Sequence, residues 1–405
     1  MSEFINNRSK RIEDLLAFSR GIMNGEDGRK LIQQYREAID NLTPHDMLAL
    51  EDKQLQMGIT PQKIKKDIEK IISTFFKSLE KYPWEQPEKD TFLYYLMQEN
   101  EKLSSKLQQI KTLLKSYRGV EVEHFERMKV ELLPHFKELQ KFDDHYVKKE
   151  NILFPYLEKR WLNYRPLSVM WSLHDDIRKK LKNIIETLQS LESGWRDFNK
   201  IMSEYFFLVF GMIQKENLIV YPVASETLSA EEWAEMYDQS FEYSFPFIKQ
   251  PVKRKSGEMT FNNDPVQAET KGFSSATGSM NYEQILLAFN HLPVDITFVD
   301  ENDKVRFFNR AKERLFPRSK AIIGRDVKNC HPPESVHIVE KIVSEFRNGN
   351  RNEADFRIRM HGKYISIRYF AVRDDAGEYR GVIEVAQDIT EIVGLTGEKR
   401  LLDWE

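Results

Sequence analysis

Cysteine is nearly absent from this chain of 405 residues, which contains Cys330 alone. No disulfide can form within the chain, and no cluster of thiolates can hold zinc or an iron–sulfur centre. Long apolar runs are also lacking, because the longest, from Tyr205 to Ile213, is far shorter than the roughly 20 residues of a membrane-spanning helix. The first residues lack the basic segment and apolar core of a secretion signal. We therefore expect a cytoplasmic protein with no membrane-spanning segment.

A strong net charge is missing too. The 61 basic and 64 acidic residues nearly cancel and leave a formal net charge of −3. Without an overall field, the chain has no general attraction to nucleic acid or to an anionic membrane. The basic run Lys253-Arg254-Lys255 is too short to indicate a nucleic-acid site. We therefore expect no nucleic-acid partner, and the length predicts roughly two to four domains.

The first part of the chain has the pattern of short amphipathic helices. Thr43-Pro44 and Thr60-Pro61 each combine a helix-capping residue with a proline at the first helical position. The run Tyr82-Pro83-Trp84 interrupts the helical pattern and marks a boundary. We predict a small all-α domain of four helices over residues 1–82, with a docking or scaffold role.

An imperfect internal repeat is the most informative motif. The stretch from His145 to Pro155 (HYVKKENILFP) recurs as Met212 to Pro222 (MIQKENLIVYP). Aligned on their prolines, the copies match His145 with Met212 and Lys149 with Glu216. Residues at i and i+4 project from one face of a helix, so His-x-x-x-Glu would form a pair of metal ligands. Each copy has one member of that pair and lacks the other.

Apolar residues at helical spacing surround this repeat. They predict long helices from Phe92 to Tyr117 and over residues 120–150, 166–192 and 195–220. Helices of this length with short connections form an up-down four-helix bundle, to which we assign residues 83–240. Pro155 and Pro222 are expected either to end their helices or to start the next turn.

The bundle and its repeat resemble the hemerythrin-like, HHE cation-binding family, whose members hold non-haem iron with histidines and carboxylates from all four helices. The residues that the resemblance implies as metal ligands are His145, His174 and Glu216, with Glu150 or Tyr94 as further candidates. The chain departs from the family because its first helix has no histidine and Lys149 replaces the expected glutamate. We expect no di-iron centre. Either one iron is held weakly, or no metal binds and Lys149 pairs with Glu216 to supply the missing charge.

After the bundle the composition changes. Residues 241–280 have few aliphatic side chains and are predicted to form a linker. Residues 281–393 then alternate strand and helix signals, which predicts an α+β domain with an antiparallel sheet, and residues 394–405 form a C-terminal tail. The element order and the closing Asp388-Ile389-Thr390 resemble a PAS sensor domain. The whole chain resembles a bacterial three-domain family with an N-terminal helical domain of unknown function, a hemerythrin-like bundle and a PAS domain.

Three residues of the last domain are candidate cofactor-binding residues. His337 lies on the longer predicted helix, the element from which haem-binding PAS domains supply a histidine. Cys330 and His331 precede that helix, but the prolines at 332 and 333 favour a structural loop. A PAS fold encloses a small cavity that could hold a metabolite, and haem is the less favoured ligand.

These expectations together predict a non-enzymatic sensory or regulatory protein that responds to redox state, a gas or a small ligand. One alternative is an iron-binding protein that handles oxygen or nitric oxide, or donates iron for repair. Another is a scaffold without a ligand. The expected partner is a second copy of the chain, bound through the PAS domain or its preceding helix, or another protein. In that helix Ile285, Leu286 and Phe289 form an apolar stripe, which could instead cover the domain's own sheet.

Overall fold

The computed structural model describes residues 2–117, 125–190, 195–253, 273–275 and 277–398. The chain divides into two compact units, 1–253 and 254–405. Helices build the first unit, and a five-stranded antiparallel sheet is the main element of the second. The predicted fold class, an all-α part followed by an α+β part, is therefore confirmed.

Five helices begin the first unit, where the sequence pattern predicted four. They are α1 (Ser2–Met23), α2 (Gly28–Gln34), α3 (Arg36–Asp40), α4 (Pro44–Gln56) and α5 (Pro61–Glu80). The extra helix arises because Tyr35, with φ −106° and ψ 21°, leaves the helical region and separates α2 from α3. The Thr-Pro pairs start α4 and α5 as predicted, since the hydroxyl groups of Thr43 and Thr60 accept backbone N–H bonds at the third helical residue.

The bundle that follows has four long helical segments and one short helix after them. The first segment is α6 (Phe92–Ser116), and the second joins α7 (Phe125–Leu139), a 3₁₀ turn (Gln140–Phe142), α8 (Asp143–Lys148), a π turn (Lys149–Leu153) and α9 (Phe154–Arg160). The third is α10 (Pro166–Gln189), and the fourth joins α11 (Trp195–Lys215), a π turn (Glu216–Val220) and α12 (Tyr221–Thr227). The short helix is α13 (Ala230–Ser240), which packs on α6.

Each copy of the repeat contains a π turn just before its proline. Pro155 has no N–H to offer the carbonyl of Asn151, and its ring would clash with that carbonyl in a regular α-helix. The turn widens instead, so that the N–H of Phe154 donates to the carbonyl of Lys149, five residues back. The second copy has the same arrangement before Pro222. Of the two expectations for these prolines, the second is confirmed, because each starts the next α-helical turn.

The fourth segment of the bundle, Trp195–Thr227, is apolar and long enough to span a membrane by length and composition. Its most apolar window is 61% buried inside the protein. The buried residues include Phe198, Tyr205, Val209 and Met212. A core helix of a bundle needs apolar residues for packing, and this need accounts for the composition of the segment.

Residues 1–82, which the sequence pattern marks as a separate domain, pack with the bundle in the same compact unit. Helix α5 lies against α10 and α11, and α4 lies against α10, α12 and the π turn Glu216–Val220. The interface therefore covers the third and fourth segments of the bundle.

The described residues of the second unit form two sheets and two α-helices. Its elements are β1 (Phe273–Ser275), β2 (Gly278–Met280), α14 (Tyr282–His291), β3 (Asp295–Asp300), β4 (Val305–Phe308), α15 (Val336–Arg347), β5 (Glu353–Met360), β6 (Lys363–Arg373) and β7 (Tyr379–Asp388). Strands β1 and β2 pair as a hairpin at the end of the predicted linker, of which residues 254–272 lie outside the described residues. The large sheet has the order β4-β3-β7-β6-β5, and α15 packs against β7.

Candidate functional site

A buried cluster of charged side chains occupies the centre of the bundle. All four helical segments contribute to it, and both copies of the repeat take part. The members with fully buried side chains are Glu99, His145, Lys148, Lys149, His174 and Glu216. Because charges in an apolar interior need partners, the contacts among these groups decide what the site can do.

The carboxylate of Glu216 lies at the centre of this cluster. Its Oε1 contacts Nζ of Lys149. Its Oε2 accepts hydrogen bonds from Nδ2 of Asn100 at 2.8 Å and from the hydroxyl of Tyr221 at 3.0 Å. Three neighbours from three helical segments therefore hold the carboxylate in place.

Two histidines face this carboxylate in similar ways. His145 has Nδ1 at 2.6 Å from Glu99 Oε2 and Nε2 at 3.2 Å from Glu216 Oε2. His174 has Nδ1 at 2.8 Å from Glu150 Oε1, and its Nε2 lies 3.9 Å from Glu216 Oε1 with no hydrogen-bond partner among the described residues. Histidines that bind metals commonly have a carboxylate on one ring nitrogen and the metal on the other.

Burial determines the protonation state of both rings. It lowers the pKa of His145 and of His174 well below the ordinary value of 6.5, and the charge of Lys149 adds to the effect. Both imidazoles are therefore neutral at neutral pH. Arg178 donates to both oxygens of Glu150, at 2.9 and 3.1 Å, so both oxygens of that carboxyl group act as acceptors. The proton of His174 consequently lies on Nδ1, and Nε2 is an acceptor directed at Glu216.

The amino group of Lys149 lies beside the carboxylate of Glu216. Burial lowers the pKa of Lys149 well below its ordinary value, while Glu150 and Glu99 oppose that change. Nζ of Lys149 donates to Oε1 of Glu216, so the amino group and the carboxyl group satisfy each other inside the bundle. The prediction that Lys149 pairs with Glu216 inside the bundle is confirmed.

A second lysine–glutamate pair adjoins the first. Nζ of Lys148 contacts Oε1 of Glu99, on the first helical segment. Burial raises the pKa of Glu99 to about 7, and the charge of Lys148 opposes the increase. The next residue along the chain, Lys149, is directed to a different segment, so consecutive lysines join the second segment to the first and to the fourth.

The second unit contains a cavity of its own between α15 and the large sheet. Its volume is about 30 Å³, and its lining residues are Val299, Val327, His331, Val339, Ile342, Val343, Tyr369, Val382 and Glu384. This volume holds one or two water molecules and is far too small for haem. Of the candidate cofactor residues, His331 lines the cavity, Cys330 packs against the apolar cluster around Val299, and His337 is exposed on α15.

Comparison with known families assigns both parts of the chain. The hemerythrin HHE cation-binding domain matches residues 91–224, and the PAS domain matches residues 286–390. The chain carries a hemerythrin HHE domain and a PAS domain. Both were predicted from the sequence, and both are confirmed. No curated protein matches the chain.

Several solved structures are similar to parts of the chain. The C-terminal domain of a protein from Streptococcus mutans is 35% identical, with coverage of 31% of this chain and 98% of its own and a TM-score of 0.30. The PAS domain of a protein from Colwellia psychrerythraea is 22% identical, with coverage of 27% and 97% and a TM-score of 0.22. The PAS domain of Bordetella pertussis BvgS is 19% identical, with coverage of 28% and 88% and a TM-score of 0.23.

The hemerythrin domain brings together four of the five residues proposed as metal ligands. His145, His174, Glu216 and Glu150 lie in the buried cluster, whereas Tyr94 is half-buried and makes an edge contact with Tyr95 at 5.4 Å between ring centroids. Glu150 follows His145 by five residues, and its Oε1 lies 2.8 Å from Nδ1 of His174.

Sequence reasoning missed four members of the cluster: Glu99, Asn100, Lys148 and Tyr221. Glu99 and Asn100 are the contribution of the first segment, in place of Tyr94. A signal for them was present, since this polar pair interrupts the apolar stripe between Leu96 and Leu103. Lys148 and Tyr221 carry no comparable signal, because their roles depend on contacts between segments.

The hemerythrin domain does not fit a metal ion as its side chains stand. The amino group of Lys149 contacts the carboxylate of Glu216, which is the central oxygen donor. Glu150, a further carboxylate, is held by an ion pair with Arg178. Among the residues that the structure describes, no group of three or more His, Cys, Asp or Glu could hold a metal.

Proposed function

We propose that the chain is a non-enzymatic, cytoplasmic sensory or regulatory protein of bacterial type. In this proposal the PAS domain receives the signal, which is a redox state, a gas or a small ligand. The hemerythrin domain has exchanged its metal for an internal lysine and serves as the regulatory body of the first unit. A second copy of the chain or another protein receives the output.

The observation that carries this proposal is the buried contact between Lys149 and Glu216. A carboxylate without a partner is strongly unfavourable in an apolar interior, so a bundle that lost its metal needs another positive group there. Lys149 is the residue that replaces the expected glutamate of the first repeat, and it meets the carboxylate of the second. One change of residue type therefore removes a ligand and supplies the compensating charge.

A restored ligand tests the proposal. The full-length protein is loaded with Fe(II) without oxygen, desalted, and its iron per chain is measured. We expect less than stoichiometric iron in the wild type and at least one iron in Lys149→Glu, which recreates His-x-x-x-Glu from His145. Iron should also raise the melting temperature of this variant, because the bound cation offsets the repulsion between the introduced carboxylate and that of Glu216.

Lys148→Met is the matched control, since Lys148 is equally buried but contacts Glu99 instead of Glu216. It should gain no iron. Stoichiometric iron in the wild type would refute the exchange of metal for lysine. Failure of Lys149→Glu to bind iron while it remains folded would show that Lys149 does not hold the cation position.

The second candidate function is an iron-binding protein that handles oxygen or nitric oxide, or donates iron for repair. Its support is the arrangement of His145 and His174, each with a carboxylate on Nδ1 and with Nε2 directed at Glu216. This function requires Lys149 to leave Glu216. It predicts that wild-type iron is lost in His145→Ala and in His174→Ala, and an absorbance spectrum of the loaded protein would show the metal.

A further inference from the structure

Helix α4 forms an ion pair with the bundle through Lys215, the residue directly before Glu216. Lys215 donates from Nζ to both carboxylate oxygens of Glu51 on α4, at 2.9 and 2.7 Å. The two side chains are only 1% and 4% exposed. Neither charge can leave the other without being stranded in an apolar environment, so α4 must follow any movement of Lys215.

Helix α5 makes a similar contact beside His174. Lys65 donates from Nζ to Oδ2 of Asp176 at 2.5 Å and to the hydroxyl of Ser172 at 2.7 Å. Ser172 and Asp176 precede and follow His174 by two residues on α10. The ammonium group therefore holds the turn of α10 that positions this histidine.

The π turn Glu216–Val220 connects these contacts to the buried cluster. It begins with Glu216, and it lies against α4. Its hydrogen bond from the N–H of Tyr221 to the carbonyl of Glu216 spans five residues instead of four, so Glu216 takes part in the irregular turn with its backbone as well as its side chain. Such π turns occur frequently at functional sites.

We propose that residues 1–82 report the state of the buried cluster. Loss or replacement of the positive group on Glu216 shifts the π turn and the adjoining turn of α10. The Lys215–Glu51 and Lys65–Asp176 pairs pass that shift to α4 and α5. The inference rests on the proposed function in one respect, namely that the cluster is the regulated element of the first unit.

The opposing view is that these ion pairs only fasten the helices together. In that case a change in the cluster lowers the stability of the whole unit evenly, and α4 responds no more than other helices do. The two views differ in where local opening increases, which amide hydrogen exchange resolves along the chain.

Hydrogen exchange of the full-length protein, followed by mass spectrometry, therefore tests the inference. In Lys149→Met we expect amide exchange in residues 44–65 to accelerate about tenfold relative to the wild type. In the Glu51→Ala variant, amide exchange of α4 should already be faster than in the wild type. Adding Lys149→Met to this variant should then produce no further acceleration in α4. Tyr221→Phe, which removes one hydroxyl from Glu216, is a milder variant for use if Lys149→Met does not fold.

Lys129→Met is the matched control. Lys129 is also a buried lysine of the same bundle, but it bonds to Glu126 and to the carbonyl of Ser190, and α7 does not pack on α4 or α5 to any large extent. Equal acceleration of α4 in this control, or an unchanged α4 in Lys149→Met and Tyr221→Phe, would overturn the inference.

The outcome is separable from that of the iron experiment. If the wild type binds iron, the metal-free function fails, and the transmission is then tested by the exchange of α4 with and without iron. If Lys149→Glu gains iron but α4 does not respond to it, the proposed function stands and the transmission fails.

Discussion

The three lysines of the repeat are each buried against a carboxylate from another segment. Lys148 contacts Glu99, Lys149 contacts Glu216, and Lys215 contacts Glu51. Pairs of this kind contribute little net stability compared with apolar residues of the same shape, but removal of one partner strands the other. Single substitutions in the cluster should therefore be costly, and matched double substitutions should be much less so.

The first prediction concerns the central pair. Lys149→Met should lower the free energy of unfolding of the first unit by roughly 3–5 kcal/mol, because it leaves the carboxylate of Glu216 buried without its partner. The double variant with Glu216→Gln should recover much of that loss. Urea unfolding measures both effects, and strictly additive losses would contradict the pairing. For comparison, Lys106→Met breaks a half-exposed pair with Glu138 and should cost at most about 1 kcal/mol.

A second prediction at this scale concerns His331 in the PAS cavity. Burial lowers the pKa of His331 from its ordinary value of 6.5, with a further contribution from Arg318 and opposition from Glu384. The folded domain therefore binds a proton less readily than the unfolded chain. The contribution of His331 to stability is complete above pH 6.5 and is lost as the pH falls below it.

The variant His331→Gln should flatten this part of the profile. Thermal unfolding of the full-length protein, measured from above pH 6.5 to about one unit below, is the test. The same slope in the wild type and the variant would show that folding does not lower the pKa of His331.

At the scale of elements, helix α14 packs some of its apolar residues on the domain's own sheet and exposes others to solvent. Phe289 packs its ring on Phe307 of β4, with 5.6 Å between centroids, so part of the stripe covers the domain's own sheet. On other faces of the helix, Tyr282 is 76% exposed and Leu287 is 49% exposed. A dimer through this helix stays a prediction, and the exposed residues are the ones that would meet the partner.

Substitutions on the two faces should therefore separate folding from assembly. Phe289→Ala should destabilise the PAS domain by roughly 1.5–2.5 kcal/mol, half the value for a fully buried phenylalanine. Leu287→Asp should leave the stability of the domain unchanged and shift a dimer toward monomer. Light scattering and thermal unfolding of the full-length variants measure these effects. A monomer both before and after Leu287→Asp would exclude α14 as the dimer contact.

At the scale of the whole molecule, the N-terminal helices belong to the same compact unit as the hemerythrin domain. They cover parts of α10 and α11 and place Glu51 against Lys215. We expect a fragment of residues 83–253 to melt at a lower temperature than a fragment of residues 1–253. The shorter fragment exposes to water the surface of α10 and α11 that residues 1–82 cover. Equal melting temperatures would show that residues 1–82 fold as an independent attachment.

Local patterns in the sequence were sufficient to predict the elements and the two families. The antiparallel sheet predicted for residues 281–393 is present, and its strands Asp295–Asp300 and Val305–Phe308 lie within that range. Alternating apolar residues and turn residues act within a few positions, so a strand or a helix end can be predicted from its own neighbourhood. The aligned repeat likewise led to the pairing of Lys149 with Glu216, because the family resemblance placed both residues at the same depth of one bundle.

Contacts between distant segments required the folded structure. Nothing near Glu99 or Lys148 in the chain indicates that they meet, or that Glu51 reaches Lys215, 164 residues later. The contact of Glu150 with His174 likewise joins the second helical segment to the third, 24 residues away in the chain. Pairing of buried charges depends on which helices pack together and on how each helix is rotated about its axis. Neither is determined by the residues that adjoin the charged residue in the chain.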